Sequence, residues 1–245
     1  MAEEGNDIGR EIQETHNHIE VSPYIKEIMA RPAIKQRLEE LLENGEANLA
    51  KGEFETSFKH SVDVAKLAES CIDEGELEAS PAESKEIFIT AALLHDIGKD
   101  KVPLEVLAKR GKLTEEERRN IERHTLEGWL ACQDIADELK DASKSESRKM
   151  AGIIAEIVFR HHAYGKGETY PPTEAFHINP DDETEKMIKE MAKKLSILDI
   201  FEALRSFRSY RTPAGKIKVS SILRGKFPDN SELIDFLTSN FIEEE

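Results

Sequence analysis

Residues 87–99, which read IFITAALLHDIGK, decide the fold of this chain. The apolar residues that follow Ile87 favour a helix that runs directly into His95 and Asp96. A carboxylate that faces a protein core costs free energy unless it is paired or bound to a metal ion. The stretch therefore predicts a helix that ends in a polar pair within apolar surroundings, with Gly98 available to end it.

Helical periodicity continues on the N-terminal side of this stretch. Pro23 and Pro32 each stand at the start of a segment with apolar residues at helical spacing, and the Asn-Gly pair at 44–45 predicts the end of the second. Residues 53–74 repeat apolar side chains near the helical period. The first third of the chain is therefore predicted to be helical.

The C-terminal side shows the same pattern. Thr114, followed by three glutamates, predicts the N-cap of a helix. An apolar run follows at 150–159, and longer periodic stretches predict helices over about 182–206 and about 231–242. Glycines and prolines make 163–181 a loop. Because no stretch alternates like a strand, the sequence predicts an all-α fold.

The same pattern divides the chain into four parts. Residues 1–20 are polar and are expected to form a flexible tail. Residues 21–50 form an N-terminal helical segment that packs on the core, and residues 51–215 form the main domain. Residues 216–245 form a C-terminal helical extension.

The charge of the chain limits its partners. It contains 50 acidic and 34 basic residues among 245, which gives a formal net charge of −16. That balance argues against general affinity for nucleic acid or for an anionic membrane surface, although a local basic pocket stays open. A homodimer is a further expectation.

Cysteines and hydropathy predict the compartment. Cys71 and Cys132 lie far apart in amphipathic segments, which is typical of apolar core residues and not of a disulfide framework. No apolar run approaches the roughly 20 residues that cross a bilayer. The acidic N-terminus has no apolar signal region, so the sequence predicts a cytoplasmic protein.

Five of the eight histidines and two aspartates stand at helical ends or in apolar contexts. One such residue is more often a hydrogen-bonded helix-end residue than a metal ligand, but an ordered set of this size indicates a metal site. Imidazole and carboxylate together suit zinc, iron, manganese or nickel. The set is His60, His95, Asp96, His124, His161, His162 and Asp199.

The spacing within this set favours more than one ion. On a helix, His161 and His162 would point about 100° apart, which favours two neighbouring ions, or one ion and the substrate, over chelation of a single ion. A carboxylate such as Asp96 can bridge two cations. Two bridged cations activate a water molecule and clamp both the attacking and the leaving oxygen of a phosphate ester.

The order of these residues resembles the HD superfamily of metal-dependent phosphohydrolases, and more narrowly its HD-GYP branch, known for hydrolysing cyclic di-GMP. Residues 95–124 read HDIGKDKVPLEVLAKRGKLTEEERRNIERH, where the branch has HDIGK, P-x-x-I-L and KPGKLTxEE ahead of a helix with a histidine. Residues 161–171 read HHAYGKGETYP against HHExxDGxGYP, and residues 199–211 read DIFEALRSFRSYR against DxFDALTxxRPYR. The resemblance covers about residues 54–215.

The resemblance implies a fold, a cofactor and a reaction. The fold is an HD-domain helical bundle with a metal site in its centre. The cofactor is a pair of divalent transition-metal ions, iron or manganese, with zinc or nickel as alternatives. The reaction is hydrolysis of a cyclic dinucleotide such as cyclic di-GMP through a metal-activated hydroxide.

The resemblance also assigns roles to single residues. All seven residues of the set match metal-ligand positions. Lys99 matches a lysine near the scissile phosphate, and Asp96 and Lys99 are the catalytic candidates. Tyr170 remains from the GYP loop, and Arg208 and Arg211 match a basic pair that binds substrate phosphate, a task that suits bidentate guanidinium groups.

Four positions depart from the branch's pattern. Thr169 replaces the glycine of GYP, and Ala163 and Lys166 stand where the branch has Glu and Asp. Thr56 stands where some members carry a glutamate that holds a third metal, which favours a two-metal site. These departures leave the choice of substrate open.

Two alternative functions therefore accompany the phosphodiesterase. One is an HD-type phosphomonoesterase that acts on a nucleotide. The other is a degenerate module that binds metal and nucleotide for signalling without turnover, for which the altered loop is the best support.

Overall fold

The computed structural model describes residues 20–49, 57–77, 82–109, 111–133, 135, 144–172, 175, 181–206 and 213–242. Every regular element in these ranges is helical, which confirms the all-α prediction. A short 3₁₀ helix, Ile97–Lys101, interrupts the α-helices. In chain order these are α1 (Pro23–Met29), α2 (Pro32–Leu49), α3 (Ser57–Asp73), α4 (Ala82–Leu94), α5 (Leu104–Leu107), α6 (Glu115–Glu122), α7 (His124–Cys132), α8 (Lys144–Arg160), α9 (Asp182–Arg205), α10 (Lys216–Lys226) and α11 (Ser231–Asn240).

Local side-chain chemistry starts several of these helices where the sequence predicts. The Ser22 hydroxyl accepts a hydrogen bond from the backbone N–H of Ile25, with Pro23 at the first helical position of α1. Thr114 and Glu117 form a reciprocal capping box at the start of α6. These caps satisfy backbone donors that the first turn of a helix leaves without partners.

Two predicted helix ends are wrong. The second segment does not stop at the Asn-Gly pair, because α2 continues through Gly45 to Leu49. A glycine inside a helix costs only about 1 kcal/mol, which does not force an end. The helix that precedes the HD pair ends at Leu94, not at Gly98, which lies inside the 3₁₀ helix.

The core explains why the HD pair lies in the interior. Residues 91–94 at the end of α4 are at most 1% exposed, and α4 packs against both α3 and α8. The apolar cluster around them includes Ile25 of α1 and Leu223 of α10, so both flanking segments share the core of the central helices. Cys71 and Cys132 are buried free thiols, as expected. The four-part domain division and the homodimer stay predictions.

None of the helices in the described ranges combines the length and the apolar character that crossing a bilayer requires.

Gly98 has a packing role. A Cβ atom at this position would meet the carbonyl oxygen of His124 and would lie 2.6 Å from the backbone N of Gly128 and 2.9 Å from Cβ of Glu127. Two of these neighbours are backbone atoms of α7, which cannot rotate away as a flexible side chain can. Gly98 therefore lets the 3₁₀ helix lie directly against α7, and this contact sets how far Asp96 is from His124.

We expect Gly98→Ala to destabilise the protein by about 2 kcal/mol or more, because the added methyl group overpacks a contact between two backbones. Urea unfolding measures the change. Gly152→Ala is the matched control, since a Cβ there has no neighbour within 4 Å and lies inside α8, where alanine gains about 0.5–1 kcal/mol over glycine. Equal stability of Gly98→Ala and the wild type would contradict the packing role.

Candidate metal centre

Five helices bring the seven predicted metal ligands into one cluster. His60 comes from α3, the HD pair follows α4, and His124 begins α7. His161 and His162 follow the last residue of α8, and Asp199 lies on α9. The side chains of His162 and Asp199 are 21% and 14% exposed, and all other members are at most 3% exposed. The seven residues therefore meet in the centre of the helical bundle.

Three of the histidines are oriented in the same way. In each, ring atom Nδ1 lies within hydrogen-bonding distance of the backbone carbonyl three residues earlier. Because a carbonyl oxygen can only accept, Nδ1 must be the donor, and Nε2 is left with its lone pair directed away. A carbonyl bond of this kind fixes the tautomer of a metal-ligating histidine. The pairs are His95 with Ala92 at 2.8 Å, His124 with Ile121 at 2.6 Å, and His161 with Val158 at 2.6 Å.

The donor atoms form two groups. His124, His161 and His162 make one, and His60, His95 and Asp199 make the other; within each, all donor atoms lie within 4.8 Å of one another. The adjacent histidines, expected to serve two ions or one ion and the substrate, both fall in the first group, and how many ions they bind stays a prediction. Helix α8 ends at Arg160, so helical spacing does not separate the two rings, whose centroids are 3.9 Å apart.

Asp96 lies between the two groups. Its Oδ1 is 3.6 Å from Nε2 of His124 in the first group, and its Oδ2 is 3.7 Å from Nε2 of His95 in the second. The Asp96 carboxylate thus faces a histidine of each group with a different oxygen. Asp199 also reaches the first group, but at a longer distance, with its Oδ2 3.9 Å from Nδ1 of His162. The position is compatible with the bridging role that the sequence suggests for Asp96, which stays a prediction.

Charges inside the cluster are set by burial and by neighbours. Burial lowers the pKa of His124 to about 4 and that of His162 to about 3, so both rings are neutral near pH 7. Burial alone would raise the pKa of Asp96, but the Lys99 ammonium beside it holds that pKa well below its usual range. Asp199 is likewise ionised despite its burial, because His60 hydrogen-bonds its Oδ1 at 2.9 Å.

The donor set fits divalent transition-metal ions. Two ligands that each lie about 2.1 Å from one ion are about 3.0–3.4 Å apart. The Nε2 atoms of His124 and His161 are 3.4 Å apart, at the upper end of this range, and His60 Nε2 and Asp199 Oδ1 are 2.9 Å apart, just below it. Nε2 of His95 is buried without a hydrogen-bond partner, as expected of an atom whose partner is an ion. Neutral imidazoles and ionised carboxylates are the protonation states that bind metal.

Lys99 and Tyr170 lie at the edge of the cluster. The Lys99 ammonium is 2.5 Å from Oδ2 of Asp96, and its side chain is 24% exposed. The Tyr170 ring packs on that of His162, with centroids 4.7 Å apart and planes tilted by 37°. Because Lys99, His162 and Asp199 retain exposed surface, the cluster opens to solvent on this side.

The loop that departs from the GYP pattern is held by parts of the chain beyond the motif. The backbone N–H of Lys166 donates to the carbonyl of Lys226 at the end of α10, at 2.9 Å. Gly165 has a φ of +107°, and a Cβ there would lie 2.9 Å from the Phe227 ring. Sequence reasoning missed this contact, since nothing in the C-terminal extension signals which loop it touches.

Three predicted positions cannot be placed. Arg208, Arg211 and Thr56 lie outside the described residues, so the basic pair and the two-metal preference stay predictions. The sequence reasoning also missed Arg160, which is fully buried directly before His161. A glutamate four residues before it, at the spacing of a helical ion pair, was the available signal.

Comparison with known proteins agrees with this geometry. The HD domain family matches residues 57–204, more than half of the chain. The chain therefore belongs to the HD domain family, which confirms the broader resemblance read from its motifs. An HD domain implies a divalent metal ion, and the clustered His and Asp donors are placed to bind one.

Several curated proteins are similar to this chain. A Vibrio cholerae protein named as a probable cyclic di-GMP phosphodiesterase is 31% identical over 161 residues, which are 64% of this chain and 33% of that protein. The 3'3'-cGAMP-specific phosphodiesterase 1 of Vibrio cholerae is 27% identical over 213 residues, 85% of this chain and 43% of its own length. The cyclic di-GMP phosphodiesterase response regulator RpfG of Xanthomonas campestris is 33% identical over 129 residues, 53% of this chain and 29% of its own. The chain thus spans less than half the length of these relatives.

We expect metal binding to displace few protons even at pH 6.0, because histidines with a lowered pKa are already neutral there. Calorimetry of Mn²⁺ binding in buffers of different ionisation enthalpy counts the protons. If the histidines had the ordinary pKa of about 6.5, metal binding would release about two or more protons more at pH 6.0 than at pH 7.5. Such an increase would contradict the prediction that the histidines of the cluster are neutral. Ionisation of a metal-bound water would not produce it, because that water would release fewer protons at the lower pH.

Proposed function

We propose that this chain is a metal-dependent phosphodiesterase that hydrolyses a phosphodiester bond of a cyclic dinucleotide. The observation that carries the proposal is the position of Asp96, whose two carboxylate oxygens face different donor groups. A carboxylate in this position can hold two adjacent cations, which together can clamp the attacking and the leaving oxygen of a phosphate ester. Phosphoryl-transfer chemistry is thereby favoured over a site that holds a single structural ion.

The two donor groups would hold two divalent transition-metal ions, with Asp96 shared between them. When bound, such ions lower the pKa of a coordinated water and polarise the phosphate ester. Iron or manganese is the proposed metal, and zinc or nickel the alternative, since imidazole and carboxylate ligands accept all four. The proposed ligands are His60, His95, Asp96, His124, His161, His162 and Asp199.

The remaining residues act on the substrate. Lys99 is placed on the open side, where its ammonium group can donate to a phosphate oxygen and offset negative charge that develops during the reaction. Tyr170, packed on His162, forms the rim that a nucleotide contacts. The buried side of the cluster excludes water, which strengthens these electrostatic contacts. Arg208 and Arg211 are proposed to bind a second phosphate.

The names of the relatives support a cyclic dinucleotide as substrate. The three compared above are named for cyclic di-GMP or for 3'3'-cGAMP. Each of these substrates contains two phosphodiester bonds in one ring. Because the chain departs from the HD-GYP pattern at Ala163, Lys166 and Thr169, the choice between the two substrates is left to experiment.

We expect Asp96→Asn to lower kcat about a thousandfold or more, because the loss of a shared anionic ligand removes several kcal/mol of transition-state stabilisation. Stopped assays of cyclic di-GMP hydrolysis measure the rate, and circular dichroism checks that helix content is kept. Asp229→Asn is the control, since Asp229 is an exposed carboxylate in a turn. A folded Asp96→Asn protein with unchanged turnover would contradict the proposal.

We expect purified protein loaded with Mn²⁺ or Fe²⁺ to convert cyclic di-GMP or 3'3'-cGAMP to the linear dinucleotide. Product chromatography should be run with each cyclic substrate, the linear form and nucleoside monophosphates. Release of inorganic phosphate from monophosphates alone would replace the proposal with a phosphomonoesterase. Tight binding of metal and cyclic dinucleotide without any product would replace it with a binding module.

A further inference from the structure

A second buried polar cluster lies beside the candidate metal centre. It contains Trp129, Glu156, Arg160 and Glu185, and is called the Arg160 cluster below. The side chains of Arg160 and Glu156 are both 0% exposed, whereas that of Glu185 is 40% exposed. The proposed reaction uses none of these four residues, so the cluster needs a separate explanation.

The Arg160 cluster is a connected hydrogen-bond network. Nε of Arg160 donates to Oε2 of Glu156 at 2.7 Å, and Nη1 donates to both carboxylate oxygens of Glu185, at 2.7 and 2.9 Å. The other oxygen of Glu156 accepts from Nε1 of Trp129 at 3.1 Å. The guanidinium group, with its planar fork of donors, fixes the direction of these contacts.

The network joins three helices that carry, or lead directly into, four of the metal-site donors. Trp129 lies on α7, whose first residue is His124. Arg160 is the last residue of α8, directly before His161 and His162. Glu185 lies in the first turn of α9, which also carries Asp199.

Hydrogen bonds tie the last turn of α8 to the residues that directly follow it. The backbone carbonyl of Arg160 accepts from the N–H of Ala163 at 2.8 Å, and the carbonyl of Val158 accepts from the His161 ring at 2.6 Å. A rotation of this turn would therefore move both histidine rings. The Arg160 side chain opposes such a rotation because it ties Glu156 of α8 to Glu185 of α9.

Stability alone does not explain the cluster. Removing a charged pair from water costs several kcal/mol per ion, and replacement of a buried ion pair by apolar residues is often neutral or stabilising. A metal site has a stricter need, because its donors must be held within about 0.5 Å of a working geometry. Directional hydrogen bonds meet that need better than apolar contacts, which are not directional.

We propose that Arg160 is a positioning residue for the metal centre, which holds the last turn of α8 so that His161 and His162 meet His124 and Asp199. The inference rests on the proposed function in one respect, since it assumes that these donors bind metal. It concerns metal affinity and coordination geometry, and both are measured without substrate.

The test compares the wild type with two variants. The double variant Glu156→Leu, Arg160→Met removes both fully buried charges, so no uncompensated charge is left between them. Arg160→Lys keeps the charge but replaces the planar fork by a single ammonium group. The matched control is Arg31→Met, Glu86→Leu, which removes another largely buried pair, 2.7 Å apart and with side chains 10% and 13% exposed, between the start of α2 and α4.

Co²⁺ titration followed by visible absorption reports affinity and coordination geometry, and urea unfolding of the metal-free proteins reports stability. For the double variant we expect a urea midpoint within about 0.5 M of the wild type, a Co²⁺ Kd raised about tenfold or more, and altered absorption bands. Arg160→Lys should give an intermediate Kd. The Arg31 and Glu86 control should keep the wild-type Kd and spectrum.

Each failure has a separate meaning. A folded double variant, or Arg160→Lys if the double variant does not fold, with wild-type Kd and spectrum would overturn the positioning role. An equal loss of affinity in the control would also overturn it, because the effect would then be general. A wild type that binds no Co²⁺ would overturn the proposed metal centre as well, whereas a wild type that binds Co²⁺ without turnover would overturn the proposed activity alone.

Discussion

The structure depends on the burial of ionised carboxylates among imidazole rings. Asp96 is 1% exposed, and Asp199 lies against His60 and His95 in the same cluster. A buried carboxylate without partners would take up a proton or disrupt the fold. Here the Lys99 ammonium and hydrogen-bonding histidines stabilise the charged forms, and metal ions would add to this stabilisation. The apolar surroundings of α4, which is enclosed by neighbouring helices, are what place Asp96 in that environment.

The donors are preorganised because the histidines lie at helix ends. His95, His124 and His161 each lie just after a helix or at its first residue, where the carbonyl three residues earlier can accept a hydrogen bond from Nδ1. That bond directs Nε2 into the site before any ligand arrives. Because burial also keeps His124 and His162 neutral, the cluster has the protonation state that metal binding requires.

Residues remote from the motifs support this site. The end of α10 anchors the loop that carries Tyr170, through the bond between Lys166 and Lys226, and Gly98 sets the contact between the HD turn and α7. The loop between Ala163 and Thr169 is where the chain departs from the HD-GYP pattern, and α10 lies beyond the residues that match the HD family. The departures from that pattern therefore lie in the loop that α10 contacts.

The sequence by itself determined the all-α class, most helix positions and the identity of the seven clustered side chains, because helical periodicity, capping residues and ordered motifs are local in the chain. It did not determine that His161 and His162 share one donor group, that Gly98 serves close packing, or that Arg160 links α8 to α9. Those facts depend on where each helix stops and on which helices meet, and contacts between residues distant in sequence leave no periodic signal. Only the tertiary structure decided them.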